Sequence, residues 1–170
     1  MIALAAPDYP LEPMATAGDL AGFNGGPFAD PVVASAGESI RDECGWHIAP
    51  VATTVMKFRG EGSMILLPTL RLMDVTSVRD SDGNLVAGVE WLQNGILECS
   101  GGFPPYVEVT FMHGYRVCPP SLLAVIAERA AARSAGRIKS EALAGRSVSL
   151  EGGYDPVSAG VLQRYKLGAE

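Results

Sequence analysis

The sequence predicts an α+β fold: a helical bundle with a small antiparallel β module inserted into it and extended arms at both ends. Three observations carry this expectation. Apolar residues recur at helical spacing over 31–44, short strand-like segments separated by tight-turn dipeptides fill 51–115, and an alanine-rich helical run follows Pro119-Pro120. The expected division is an arm over 1–14, a central domain over 15–145 and a tail over 146–170.

The first fourteen residues hold three prolines and no periodicity, which reads as an extended arm. Thr16 can cap a short helix over 16–23, and Asn24-Gly25-Gly26-Pro27 breaks it. Asp30-Pro31 then supplies a capping side chain followed by proline at the first helical position, where the missing amide costs nothing. The helix expected over 31–44 buries one face through Val33, Ala36, Ile40 and Cys44, and Gly45 is a natural left-handed stop.

Strands are expected over 53–58, 64–67, 74–79, 85–91 and 106–112, all rich in β-branched or aromatic residues. Ser81-Asp82-Gly83 and Gln93-Asn94-Gly95 are the clearest hairpin turns, because Asp-Gly and Asn-Gly tolerate positive φ. Val107, Val109 and Phe111 alternate with Glu108, Thr110 and Met112, so that strand has one buried face. The longest helix is expected over 121–143. Its many alanines leave little bulk and permit close approach of another helix, within a bundle or at a seam between subunits. Beyond it, Gly152-Gly153 loosens the chain before a terminal helix or docking strand over 157–165.

At 170 residues the chain can bury one substantial core. Its 19% charged content is low, which implies that partners cover much of the surface. The net charge of −6 opposes sequence-independent DNA binding, which rests on neutralising phosphates, but suits the wall of a channel that conducts DNA without gripping it. Cys44, Cys99 and Cys118 form an odd set without a CxxC pair, read as free thiols in a reducing cytosol. Neither a signal-peptide pattern nor a bilayer-length apolar run is present, so no membrane partner is expected.

The most distinctive segment is Ile40-Arg41-Asp42-Glu43-Cys44-Gly45-Trp46-His47-Ile48-Ala49-Pro50. After it come Leu67-Pro68-Thr69, Val75-Thr76-Ser77-Val78, Asp82-Gly83 and Leu92-Gln93-Asn94-Gly95-Ile96-Leu97. Val107-Glu108-Val109-Thr110-Phe111-Met112-His113-Gly114-Tyr115, Pro119-Pro120 and Val161-Leu162-Gln163-Arg164-Tyr165-Lys166-Leu167 complete the series. In this order, over roughly 30–145 and again at the C-terminus, the set resembles the head-to-tail connectors (adaptors) of tailed bacteriophages, especially those of actinobacteria.

The resemblance implies a structural virion protein of the neck, assembled in the host cytoplasm, with no cofactor and no enzymatic activity. Twelve identical subunits would form a ring under the portal protein. The ring would extend the channel through which genomic double-stranded DNA passes and offer a surface to the next neck, stopper or tail protein. A stopper (head-completion) or tail-terminator ring of the same neck is the alternative within structural proteins. A small cysteine hydrolase is the alternative from another class.

Candidate sites follow. Cys44, Gly45, Trp46, His47 and Pro50 read as a structural corner with a buried thiol, a packed indole and a histidine bonded to backbone. Cys44, His47 and His113 as a metal set fall short of the four ligands structural zinc takes. A nucleophilic cysteine needs an oriented base that no spacing here supplies. Arg129, Arg133 and Arg137 line one side of the long helix, either as a solvated face or as a contact to another subunit or the portal. The resemblance makes Tyr154, Leu162, Arg164, Tyr165 and Leu167 the portal-docking residues of the tail.

Overall fold

The computed structural model of the chain describes residues 11–134, 142–143, 146–147 and 156–168. Its contacts divide the chain into two units: Gly45–Cys118 form the body of a β unit, and Pro13–Cys44 with Pro119–Glu170 a helical unit. The expected helical bundle is thereby corrected. The described elements are three helices and a 3-10 turn, two three-stranded antiparallel sheets and one two-stranded ribbon. The architecture is mixed, with helix and strand of similar weight. The physical reason lies in the strand segments, whose alternating apolar residues build a core of their own.

In the β unit, β1 (Ala52–Arg59), β6 (Tyr106–His113) and β3 (Leu72–Asp80) form one sheet in the order β1-β6-β3. The second sheet has the order β2-β5-β4, from β2 (Met64–Leu66), β5 (Ile96–Cys99) and β4 (Val89–Trp91). Phe58, Val109 and Phe111 from the first sheet and Ile65, Leu97 and Cys99 from the second share one apolar cluster. Inward residues alternate with outward ones along β1 and β6, as the pleat requires. Register shifts at Leu72/Asp74 and Val75/Ser77 bulge β3 against β6.

Two differences from the expected strands have local causes. The single strand foreseen over 85–91 is an isolated bridge at Leu85 plus β4, because Gly88 takes φ +70° between them and breaks the extended run. The unforeseen β5 is four residues long between two turn-forming clusters, yet it is the central strand of its sheet. Gly95 enters it at φ +88°, where an added Cβ would lie 2.5 Å from the Thr69 carbonyl oxygen. A glycine is therefore needed on both conformational and steric grounds.

In the helical unit, α1 (Asp30–Cys44) buries Val33, Ala36 and Ile40, and α2 (Pro120–Ser134) buries Leu122, Val125, Ile126 and Ala130. The helix expected over 16–23 contracts to a 3-10 turn, Gly18–Leu20. Its start is closed locally, with the Asp19 carboxylate accepting from the amide and hydroxyl of Thr16 at 2.7 Å each. Met14, expected in the arm, is buried against Gly37 of α1. The helix expected to reach 143 is described as far as Ser134. Ala142–Leu143 instead pair antiparallel with Arg146–Ser147, as β7 and β8. A third helix, α3 (Pro156–Gln163), packs on α1 and α2.

Candidate functional site

The corner is built by backbone geometry that its residues make possible. Gly45 ends α1 with φ +79°, and Ile48 adopts φ +65°, a conformation rare for a β-branched residue. Trp46, His47, Ile48 and Ala49 are all buried. The segment is clamped to the chain just after β6 by the Tyr115 amide, which donates to the Ile48 carbonyl at 2.7 Å, and that chain is tied in turn to the Arg71 carbonyl by the Gly114 amide at 2.8 Å. Gly114, at φ +104°, leaves no room for a side chain, since a Cβ would lie 3.0 Å from both the Ile48 and Pro50 carbonyl oxygens.

Side chains complete the clamp. His47 donates through Nε2 to the Pro50 carbonyl, which defines its tautomer. The His47 and His113 rings lie 5.5 Å apart, and His113 Nε2 is 3.1 Å from the Thr54 hydroxyl. Burial, with a smaller contribution from the neighbouring His47, lowers the His113 pKa to about 4, so this ring is neutral at physiological pH. Trp46 and Tyr115 lie with ring centroids 6.3 Å apart, and the Arg71 guanidinium is 5.6 Å from the Tyr115 centroid. Among the corner's partners, Thr54, Arg71 and Tyr115 had no assigned role in the sequence, and His113 entered only as a member of the metal set with Cys44 and His47. They are distant in the chain, and only the β ladder brings them to Trp46–Pro50.

Cys44, in the helical unit, holds the C-terminal segment. The Leu167 amide donates to the Cys44 carbonyl at 2.9 Å, and the thiol lies 4.0 Å from the Leu162 carbonyl oxygen. Its pKa is pushed up to about 11, first by burial and then by Glu43, against the opposing charges of Arg129 and Lys166. That direction is the opposite of the one that activates a nucleophilic thiol. Among the described residues no group of three His, Cys, Asp or Glu is arranged to hold a metal ion.

The arginine stripe separates. Arg129 is buried, with its guanidinium donating to the Glu43 carboxylate at 2.5 Å and to the Ser39 hydroxyl at 2.9 Å, both on α1. It therefore joins α2 to α1 within the helical unit, which corrects its reading as a surface contact. Arg133 is exposed, and Arg137 lies outside the described residues.

The tail residues divide in the same way. Leu162 is buried beneath α3, and Tyr165 is half-buried with its hydroxyl 3.1 Å from that of Ser121. Ser158 of α3 donates to the Glu128 carboxylate of α2. Arg164 is exposed, Leu167 is half-buried, and Tyr154 lies outside the described residues.

In the β unit a cavity of about 390 Å³ opens where Lys57, Arg79, Tyr106 and Glu108 meet the Asp80–Gly83 turn. Lys57 pairs with Glu108 at 3.7 Å across the β1–β6 ladder. The turn is built around Asp80, whose carboxylate accepts the amides of Asp82 and Asn84 at 2.9 Å.

The fold these units make is shared with chains from the necks of particles. One belongs to the neck of a native GTA (gene transfer agent) particle computed with C12 symmetry, 18% identical to this chain, with a TM-score of 0.56 and coverage of 80% of each chain. Another belongs to the neck of an empty GTA particle computed with C6 symmetry, 20% identical, with the same TM-score and coverage of 80% of this chain and 75% of that one. At these identities the likeness is one of fold. No family model matches the sequence, and no curated protein does.

Proposed function

We propose that the chain is a structural, non-enzymatic neck protein of a phage-like particle, acting as its head-to-tail adaptor. A ring of twelve copies beneath the portal protein lengthens the DNA channel and presents a surface to the next neck or tail component. Double-stranded DNA passes without sequence-specific contacts, as the net charge of −6 favours. The observation that carries this reading is the fold shared over four-fifths of the chain with chains of GTA particle necks, one computed with C12 symmetry. The ordered motifs around Cys44-Gly45-Trp46-His47 add the actinobacteriophage adaptor type. The high pKa of Cys44 supports a non-catalytic thiol.

In this reading Arg164 and Leu167 meet the portal, while Leu162 and Tyr165 anchor the helix that presents them. Cryo-electron microscopy of the neck of the particle carrying this chain tests it. Twelve copies against the portal, with residues 156–168 at the interface, is the expected result. A ring lower in the neck would assign the stopper role, and absence from the neck would refute the proposal.

A further inference from the structure

The C-terminal segment 156–168 is seated on the rest of the helical unit by one apolar anchor and a few polar links. Leu162, 3% exposed, is the only large side chain that its described residues bury completely. Around that anchor, Ser158 donates to the Glu128 carboxylate, the Tyr165 hydroxyl lies 3.1 Å from that of Ser121, and the Leu167 amide donates to the Cys44 carbonyl at 2.9 Å. The other side of the segment faces solvent, with Val157 70% exposed and Gln163, Arg164 and Lys166 exposed as well.

The eight residues of α3 fall short of the roughly 12–15 that an isolated helix needs to persist in water. Val157, Ser158 and Gly160 are weak helix formers besides. The helix is therefore maintained by its seat. By contrast, α1 and α2 have a core without it, through residues such as Val33, Ile40, Val125 and Ile126, and Arg129 bonds across to Glu43 and Ser39. Elements that bury few apolar side chains open below the free energy of global unfolding. Cys44 lies under this one. Its thiol is 4.0 Å from the Leu162 carbonyl oxygen, and burial above all pushes its pKa up to about 11.

We propose that residues 156–168 form a strap that opens as one unit, melting α3 and uncovering Cys44 while α1 and α2 stay paired. Closed, the strap holds Arg164 and Leu167 in one arrangement, and open, it gives that arrangement up. A partner that recognises the closed form therefore shifts the population toward it. This consequence rests on the proposed docking of Arg164 and Leu167. The strap itself does not, so either can fail alone.

The test follows N-ethylmaleimide labelling of the full chain under native conditions, with mass spectrometry of the peptides that carry Cys44, Cys99 and Cys118. Hydrogen exchange in α1 and α2 is recorded in parallel. Cys44 should label well before the core amides of α1 and α2 exchange, and with little dependence on low urea, because local opening exposes little surface. Leu162→Ala should raise the Cys44 rate about a hundredfold and leave exchange in α1 and α2 unchanged. Gly160→Ala should lower the rate about fivefold, since alanine is the better helix former and an added Cβ meets nothing within 4 Å. Cys99, in the core of the β unit, should keep its rate in both variants. Cys44 labelling that keeps pace with exchange in the α1 and α2 core, or that ignores Gly160→Ala, would overturn the strap.

Discussion

The β unit and the helical unit are held together by different physics. In the β unit, large side chains such as Phe58, Phe111, Ile65 and Leu97 are fully buried in one cluster. In the helical unit the close contacts use small residues, Gly25 near Ala131 and Gly37 near Met14, and a buried guanidinium bridges the two long helices. The first arrangement rests on apolar area. The second buries aliphatic side chains such as Leu20, Ile40, Leu122 and Ile126, and adds a polar link and the C-terminal segment that closes on Cys44.

The largest test of that contrast is Phe111→Ala. It should cost about 4 kcal/mol, since a fully buried aromatic is lost from a close-packed core. Hydrogen exchange should rise in peptides from β1, β3 and β6, and loss confined to helical peptides would contradict the division drawn here. The next effect is pH. Below pH 6.5 the unfolded chain takes up a proton that folded His113 refuses until about pH 4. Stability should therefore fall through that window by about 3 kcal/mol and level off below it. Denaturation series at several pH values, repeated with His113→Gln, measure this, and the variant should show a shallower acid slope.

In the helical unit, Glu43→Ala removes the carboxylate facing the buried Arg129 and should cost about 2–3 kcal/mol. Arg129→Met should cost less, because the Glu43 side chain is 39% exposed and can hydrate when its partner goes. Equal losses in urea denaturation would mean that the guanidinium contributes mainly by packing. The smallest effect returns to the corner. Gly114→Ala forces a side chain into φ +104° against two carbonyl oxygens and should lower stability by about 2 kcal/mol, read as a drop in melting temperature.

The C-terminal end of α1 was legible because Gly45 stops it locally, whereas at its start Asp30 is already helical and its carboxylate accepts from the Ala17 amide at 2.8 Å, thirteen positions away, where a cap for its own helix was expected. The turns at Asp82-Gly83 and Asn94-Gly95 were legible for the same reason, since both glycines take positive φ. The burial of Val107, Val109 and Phe111 followed from period-two alternation. Less visible was β5, too short to show a period, and the break at Gly88, whose φ depends on how the chain must turn between Leu85 and Val89. The candidate site was legible as a cluster at Cys44–Pro50, but its partners were not.

By itself, then, the sequence determined what nearest neighbours along the chain can enforce: the glycine stop of α1, tight turns, the strand that alternates, and a thiol set without a disulfide pattern. The tertiary structure decided what depends on residues far apart. It gave the strand segments, inserted between the two parts of the helical unit, a core of their own and a weight similar to that of the helices, and it brought His113, Thr54 and Tyr115 to the corner. It also turned Arg129 inward to a carboxylate 86 positions away and placed Leu162 beneath its own helix. Periodicity marks that a face will be buried. Which partner buries it, or whether another copy does, is set by the packing of the whole chain.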